Sequence, residues 1–195
     1  FCAFYSLRRF LLQPDGRRLL LAGLVGGLAL ASKLSALLWL PTSALLLGWT
    51  LLTGPVEVRN RLATWAGPVT GSRLRPWAGS AVVWAALLSI ASAVLWVLYG
   101  FRVAPFWTVL TSQLWDLSSG HEAFLLGHFS TGGWWYYFPI AFLVKTPVPT
   151  LLLGFWGAVT LVRDQERRWD HGLLLLPPAV FFSAFILSEG KAIGL

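Results

Sequence analysis

The chain has 195 residues and a formal net charge of +7, with 56% hydrophobic and only 12% charged residues. This composition excludes an ordinary soluble domain, and the single cysteine, Cys2, excludes an internal disulfide. The arginines lie in short connections between leucine-rich runs. They are therefore typical of charges that orient a membrane protein, and they argue against nucleic acid as a partner.

The first third of the chain predicts the end of one membrane helix and two complete spans. Residues 1–12 are typical of a helix that is already under way, so we expect an internal piece of a longer protein. A turn is predicted at 13–18, where proline, aspartate and glycine interrupt the apolar pattern. The apolar stretch that follows exceeds the about 20 residues that one span needs. It predicts two spans, 19–32 and 35–53, with a re-entry near Lys33.

Two glycines on the first of these spans predict a close helix contact. Gly23 and Gly27 lie four residues apart, so they share one helix face. Small residues at this spacing let a neighbouring backbone approach closely. The pattern is common in membrane helices and carries no function by itself.

The middle of the chain alternates polar connections with a further span. Residues 54–79 form a predicted connection whose prolines and glycines oppose a continuous helix, and 80–99 is a span. Residues 102–133 are the longest polar stretch. Within it, apolar side chains recur at helical spacing and predict an amphipathic helix on the membrane surface: Phe106, Trp107, Leu110, Leu114 and Leu117.

The last third of the chain predicts two more spans separated by a charged turn. The run 134–162 is a long span that a lysine and two prolines interrupt. Residues 163–171 form the short charged turn, and the final span covers 173–188.

The distribution of arginine predicts the orientation of the spans. The segments 8–18 and 54–79 hold four arginines each and 163–171 holds three, whereas 102–133 holds one and no lysine. By the positive-inside rule, 13–18, 54–79 and 163–171 face the cytoplasm and 102–133 faces outward. The predicted fold class is an all-α integral membrane protein, a multi-pass helical bundle with an amphipathic helix in its outward-facing loop.

Lys145 is the most informative single residue because it lies in an apolar run and precedes TPVP. A charged lysine deep in a bilayer is costly and usually faces a cavity or a partner. Pro147 and Pro149 break the helix, and a broken helix beside a cation is a candidate anion site. The alternative is a lysine that snorkels to the interface, since it lies about 16 Å along a helix counted from Trp134.

Lys33 and the outer loop supply further candidates. Lys33 is a second lone lysine among apolar residues, either part of a lipid-phosphate site with Lys145 or a turn lysine at the headgroups. Asp116 and Glu122 are weak candidates for a general base. The loop's HE-x5-H order does not match the helical HExxH spacing, so no metal site is expected.

An aromatic block precedes the Lys145 run. Tyr136 and Tyr137 follow two tryptophans, which is typical of an interfacial belt. The same rings can form a platform for a sugar, so these tyrosines, with His121, are the candidate substrate-binding residues. The sequence has no glycine-rich phosphate loop, no G-x-S-x-G elbow and no cysteine cluster, so no cofactor is expected.

Three segments of the chain, GLALASKLSALLWLP, GWWYYFPIAFLVKTPVPTLLL and KAIGL, together resemble a known family. The first is similar to a helix in which a GLAL segment runs into a lysine, and the second to the segment after an outer loop late in the membrane domain. The third is similar to a stretch that continues toward an arginine and a proline. The family is the polyprenyl-phosphate (phospholipid carrier)-dependent glycosyltransferases, the protein O-mannosyltransferase-like group with the GT-C fold.

That resemblance implies a multi-pass enzyme of the bacterial inner membrane. It would transfer a sugar from a polyprenyl-phosphate-linked donor to an outward-facing protein, lipid or glycan, without a nucleotide cofactor. Lys33 and Lys145 would stabilise the departing lipid phosphate. In the family the key acidic residue lies in a first outward loop that this chain lacks. We therefore expect the catalytic residue upstream and an inactive fragment.

Two other classes of function remain open. One is a secondary transporter or flippase with an anion site at the broken helix around Lys145. The other is a non-catalytic membrane scaffold, which predicts that Lys33→Ala and Lys145→Ala leave lipid binding unchanged. An upstream outward loop with an acidic pair favours the enzyme, and an inverted repeat favours the transporter.

Overall fold

The computed structural model describes most of the chain, and the described part is largely helical. Residue contacts divide the chain into two compact units, the first formed by Phe1–Val103 with Arg168–Pro177 and the second by Ala104–Arg167 with Pro178–Leu195. The described residues are 1–67, 74–102, 104–118, 123–125, 127–130, 134–163 and 168–187.

The regular secondary structure described in the first unit is all helical. Its elements are α1 (Cys2–Leu12), α2 (Gly16–Ser32), a 3₁₀ turn (Leu34–Leu38), α3 (Trp39–Thr53), α4 (Val56–Thr64), α5 (Arg75–Leu98) and the first half of α9 (Arg168–Leu187). In α1 the buried side chains recur at helical spacing, so one face enters the core: Ala3, Leu7, Phe10 and Leu11.

The second unit contains the remaining helices and a short β-ribbon. Its elements are α6 (Ala104–Ser118), β1 (Ala123–Leu125), β2 (His128–Ser130), α7 (Tyr137–Lys145), α8 (Val148–Arg163) and the second half of α9. The strands pair antiparallel with Phe124 opposite Phe129. A helix, α6, lies where the sequence predicts one within 102–133, whereas its place on the membrane surface and the outward orientation of that segment stay predictions. The ribbon is a small addition to the predicted all-α architecture.

Several described helices are long and apolar enough to cross a bilayer, which indicates a membrane protein. They are Ser35–Thr53, Arg75–Leu98 and Arg168–Leu187, and a fourth if the bent pair α7 and α8 counts as one span. The predicted span 19–32 lies within α2, which has 17 residues. That it crosses the membrane stays a prediction, as does the orientation of every span.

The core of the first unit depends on a close approach of α2 and α5. A Cβ atom added at Gly23 would lie 2.7 Å from the Ile90 side chain, and one added at Gly27 would lie 2.7 Å from Val94 Cβ. These distances are shorter than any ordinary carbon contact. The glycine pair therefore makes the contact predicted from its spacing, and Val83, Leu87 and Ala91 of α5 are buried beside it.

Tryptophan–hydroxyl hydrogen bonds join α3 to two other helices. The Trp84 indole N–H of α5 donates to Ser43 Oγ (3.1 Å), and the Trp169 N–H of α9 donates to Thr50 Oγ1 (3.2 Å). Ser43 and Thr50 are fully buried and seven residues apart on α3. Each hydroxyl also donates to a carbonyl of its own helix. Both polar groups of each pair are thus satisfied inside an apolar unit.

Replacing Thr50 by valine is expected to destabilise the first unit by about 1–2 kcal/mol, because it leaves the Trp169 N–H without its acceptor. The measurement is thermal unfolding of the purified protein in detergent. Thr53→Val is the matched control, since the Thr53 hydroxyl is exposed and bonds only to its own helix through the Trp49 carbonyl. Equal losses in the two variants would contradict the proposed role of the interhelical bond.

Two segments that the sequence predicts as polar connections are partly helical in the structure. Residues Val56–Thr64, within the predicted connection 54–79, form α4 because Val58 and Leu62 recur at i, i+4 and are buried. The predicted charged turn 163–171 is also partly wrong, since α9 begins at Arg168. Two contacts hold the first turn of α9 in place. The Trp169 indole N–H donates to Thr50 Oγ1 of α3, and the Asp170 carboxylate lies 3.5 Å from the Arg8 guanidinium.

Candidate functional site

Lys33 lies at a break between α2 and the 3₁₀ turn, where the sequence predicts a re-entry. Its backbone is extended (φ −155°, ψ 133°), which ends α2 at Ser32. The Lys33 N–H donates to the Ala29 carbonyl (3.2 Å), and its carbonyl accepts from the Ala36 N–H (2.9 Å). Both backbone groups of Lys33 are thus paired within the chain, and its side chain is exposed and able to contact an external group.

A tryptophan ties the chain after Lys33 back onto α2. Trp39 is the first residue of α3 and is only 1% exposed. Its six-membered ring lies against Gly26, where an added Cβ would be 2.6 Å from Trp39 Cη2. This contact fixes where the chain returns after the break, and therefore where Lys33 is held.

Lys145 is the last residue of α7, at the predicted break in the run 134–162. Thr146 is extended (φ −86°, ψ 129°) and its N–H donates to the Phe142 carbonyl (3.0 Å). The Pro147 carbonyl accepts from Thr150 N–H (2.9 Å) and so starts α8. The two helices are bent by 115°, as in a broken span or a re-entrant loop. The break is confirmed, whereas the single crossing of 134–162 stays a prediction.

The two prolines after Lys145 remove backbone N–H donors from the break between α7 and α8. A helix would pair the carbonyls of Leu143 and Lys145 with the N–H groups four residues later. Those positions are Pro147 and Pro149, which carry no N–H. Two carbonyls that lack their usual helical N–H partner and one ammonium group therefore lie within a few residues of each other.

The packing of α7 on α9 determines which way Lys145 faces. Phe138 contacts Phe185 with the rings tilted by 42° (5.3 Å between centroids), and Phe142 meets Phe182 edge-on (5.0 Å), so the helices run antiparallel. Lys145 is three residues beyond Phe142 and shares the α9-facing side of α7. The side chain is nevertheless exposed, because it lies past the last aromatic contact.

The helix that leads to Lys145 is shorter than the sequence predicts. α7 begins at Tyr137, not Trp134, so Lys145 lies about 12 Å along the helix axis from its start. This is shallower than the distance counted from Trp134. An anion site and a snorkelling lysine therefore both stay open for Lys145.

The aromatic block forms a cluster at the start of α7. Trp134 and Tyr136 stack with ring centroids 6.1 Å apart, and Trp135 meets Tyr136 edge-on at 5.6 Å. Tyr137 meets Phe138 edge-on at 5.6 Å. Tyr136 and Tyr137 are half-buried, so each presents part of a ring and is compatible with both a belt and a sugar platform.

The candidates from the outer loop are largely outside the described residues. The structure does not describe His121 or Glu122. Asp116 lies in α6, but its side chain is not described. Lys33 belongs to the first unit and Lys145 to the second, so each lysine site stands by itself. Within the described ranges, no group of three histidine, cysteine or acidic residues could hold a metal ion.

Comparison with known proteins adds no relative. No protein-family model, no curated protein and no solved structure matches the chain.

Proposed function

We propose that the chain is part of a membrane glycosyltransferase that transfers a sugar from a polyprenyl-phosphate-linked donor to an outward-facing protein, lipid or glycan. The GT-C fold and a location in the inner membrane belong to this proposal. The observation that carries it is the ammonium of Lys145, exposed at a helix break on the α9-facing side of α7. The sequence resemblance supplies the reaction class.

The reaction assigns a definite task to such a cation. The acceptor oxygen forms a bond to the anomeric carbon, and the bond from that carbon to the phosphate oxygen breaks. The electron pair leaves with the lipid phosphate, while the acceptor proton goes to a carboxylate base. An ammonium beside the phosphate stabilises the charge that develops there, and it acts most strongly where water is scarce.

Lys33 is the second cation that suits this task. It is exposed at the break between α2 and the 3₁₀ turn, in the segment that carries the GLAL–lysine resemblance. For the base, the chain itself offers only the weak candidates Asp116 and Glu122. Tyr136, Tyr137 and His121 are the proposed contacts for the sugar or its acceptor.

The test is sugar release by the full-length protein, reconstituted with isotope-labelled polyprenyl-phosphate sugars. We expect free polyprenyl phosphate to appear together with a labelled acceptor. Lys33→Ala is expected to slow the release of polyprenyl phosphate about 100-fold, the scale of one lost charge-stabilising group. A wild-type protein that binds the donors and releases no polyprenyl phosphate from any of them would contradict the proposal.

The bend between α7 and α8 favours one second candidate, a secondary transporter or flippase. A discontinuous helix pair bent by 115° is the kind of element that binds an anionic substrate in such proteins. The two functions differ in the fate of the sugar–phosphate bond. Movement of an intact labelled donor across proteoliposomes, without release of the sugar, would favour the transporter.

A further inference from the structure

One end of the first unit brings together the ends of four helices. The C-terminal end of α1 and the start of α2 are joined by residues 13–15. The Trp49 indole N–H near the end of α3 donates to the Trp169 carbonyl at the start of α9 (3.4 Å). The ion pair between Arg8 and Asp170 joins α1 to the same part of α9.

The helix α4 and the start of α5 lie at this same end. Only two residues, 54 and 55, separate the end of α3 from the start of α4. Gly79 of α5 packs directly against the Leu62 carbonyl of α4, and the Arg75 guanidinium donates to the Gly67 carbonyl (3.3 Å). The described segments 8–18, 49–67, 74–80 and 168–171 therefore form one surface.

That surface is strongly basic. It carries eight arginines and three carboxylates, and Asp170 is already paired with Arg8. Arg17 and Arg61 are exposed and have no carboxylate partner in the described part of the chain. The exposed and half-exposed arginines of this surface, the arginine collar, are Arg9, Arg17, Arg18, Arg59, Arg61 and Arg168.

Tryptophans mark the depth of the arginine collar. Trp49, Trp65 and Trp169 are half-buried at this end, and Trp77 is 51% exposed. Tryptophan gathers at the level of lipid headgroups, and the helices α3, α5 and α9 that meet here are of membrane-spanning length. The arginine collar therefore lies where headgroup phosphates lie.

We propose that the arginine collar binds anionic phospholipid headgroups, of the phosphatidylglycerol class, in one leaflet. Clusters of four to eight arginines beside membrane helices attract anionic lipid, by about fivefold in affinity for each charge near the surface. Arg17 and Arg61, which are exposed and have no carboxylate partner among the described residues, supply part of this charge, and the tryptophans hold it at the level of the headgroups. The inference is independent of the proposed glycosyltransferase activity.

The test is native mass spectrometry of the purified protein in detergent, titrated with phosphatidylglycerol or phosphatidylcholine. We expect phosphatidylglycerol to bind more tightly. Arg17→Gln and Arg61→Gln should each weaken its binding about fivefold, without changing phosphatidylcholine binding. Arg17→Lys and Arg61→Lys should retain the affinity, because they keep the charge. Arg102→Gln, which removes one exposed arginine elsewhere in the first unit, is the matched control.

Each remaining outcome overturns the proposal. Equal affinity for the two lipids would show that charge is not recognised. An equal loss in Arg102→Gln would show a general effect of net charge rather than of the arginine collar. Displacement of the lipid by inorganic phosphate at constant ionic strength would indicate a site for free phosphate instead. Circular dichroism of each variant checks that the helical content is unchanged, and the single substitutions are all exposed.

Discussion

Replacing Lys145 by alanine in the full-length protein is expected to lower sugar transfer from a polyprenyl-phosphate donor by roughly 100-fold. The reason is that one positioned group that stabilises a developing negative charge in a dry site is worth about two to three orders of magnitude in rate. Lys145 is the cation of the α7–α8 break, where Pro147 and Pro149 supply no backbone N–H donor. The measurement is the rate of release of polyprenyl phosphate at saturating donor.

Two matched variants separate the charge of Lys145 from its place in the helix. Lys145→Arg keeps a cation at the end of α7 and should retain most of the transfer rate. Val144→Ala changes the neighbouring side chain, which is 78% exposed, and should leave the rate unchanged. Unchanged transfer in Lys145→Ala would remove Lys145 from the mechanism. An equal loss of transfer rate in Lys145→Ala and Val144→Ala would show that the effect comes from a disturbed fold at the break and not from the charge of Lys145.

Replacing Gly27 by leucine is expected to destabilise the first unit by about 1–3 kcal/mol, with a further loss if α5 cannot shift. A Cβ atom at this position would lie 2.7 Å from Val94 Cβ and 2.9 Å from the Ala91 carbonyl oxygen. A side chain can change rotamer to make room, but the carbonyl belongs to the backbone of α5. We therefore expect α2 to be displaced, and the midpoint of thermal unfolding in detergent to fall.

Gly48→Leu is the control for the Gly27 prediction. Gly48 lies in α3, and an added Cβ would meet no atom within 4 Å. The same change in hydrophobicity and helix propensity thus occurs without a clash, and its unfolding midpoint should stay near that of the wild type. If Gly27→Leu were as stable as Gly48→Leu, the close approach of α2 and α5 would be wrong.

The sequence alone predicts the local features of the fold well, because those features have local causes. Lys33 and Pro147 interrupt apolar runs, and both interruptions are helix breaks in the structure. Gly23 and Gly27 share a face by spacing and pack against α5 as expected. α4 was missed because its polar residues outnumber the two apolar ones, Val58 and Leu62, that bury it.

Less of the candidate site can be predicted from the sequence, because it depends on partners that are distant along the chain. The sequence identifies Lys145 as unusual, but only the contacts of Phe138 and Phe142 with α9 show that the lysine shares the α9-facing side. The bend of 115° is likewise absent from the sequence pattern. Prolines remove hydrogen bonds and permit a bend, and the packing around them determines its angle.

The amino-acid sequence by itself determined that this is a chain of apolar helices of membrane-spanning length, broken at Lys33 and after Lys145. Apolar length, proline and glycine act within one or two helical turns, so a linear pattern contains them. The tertiary structure decided which helices share polar contacts. The Trp169 indole hydrogen-bonds to Thr50, 119 residues away along the chain, and the Trp84 indole hydrogen-bonds to Ser43, 41 residues away. It also gathered the arginines of α1, α2, α4 and α9 at one end of the first unit, because only the packed helices bring those distant segments together.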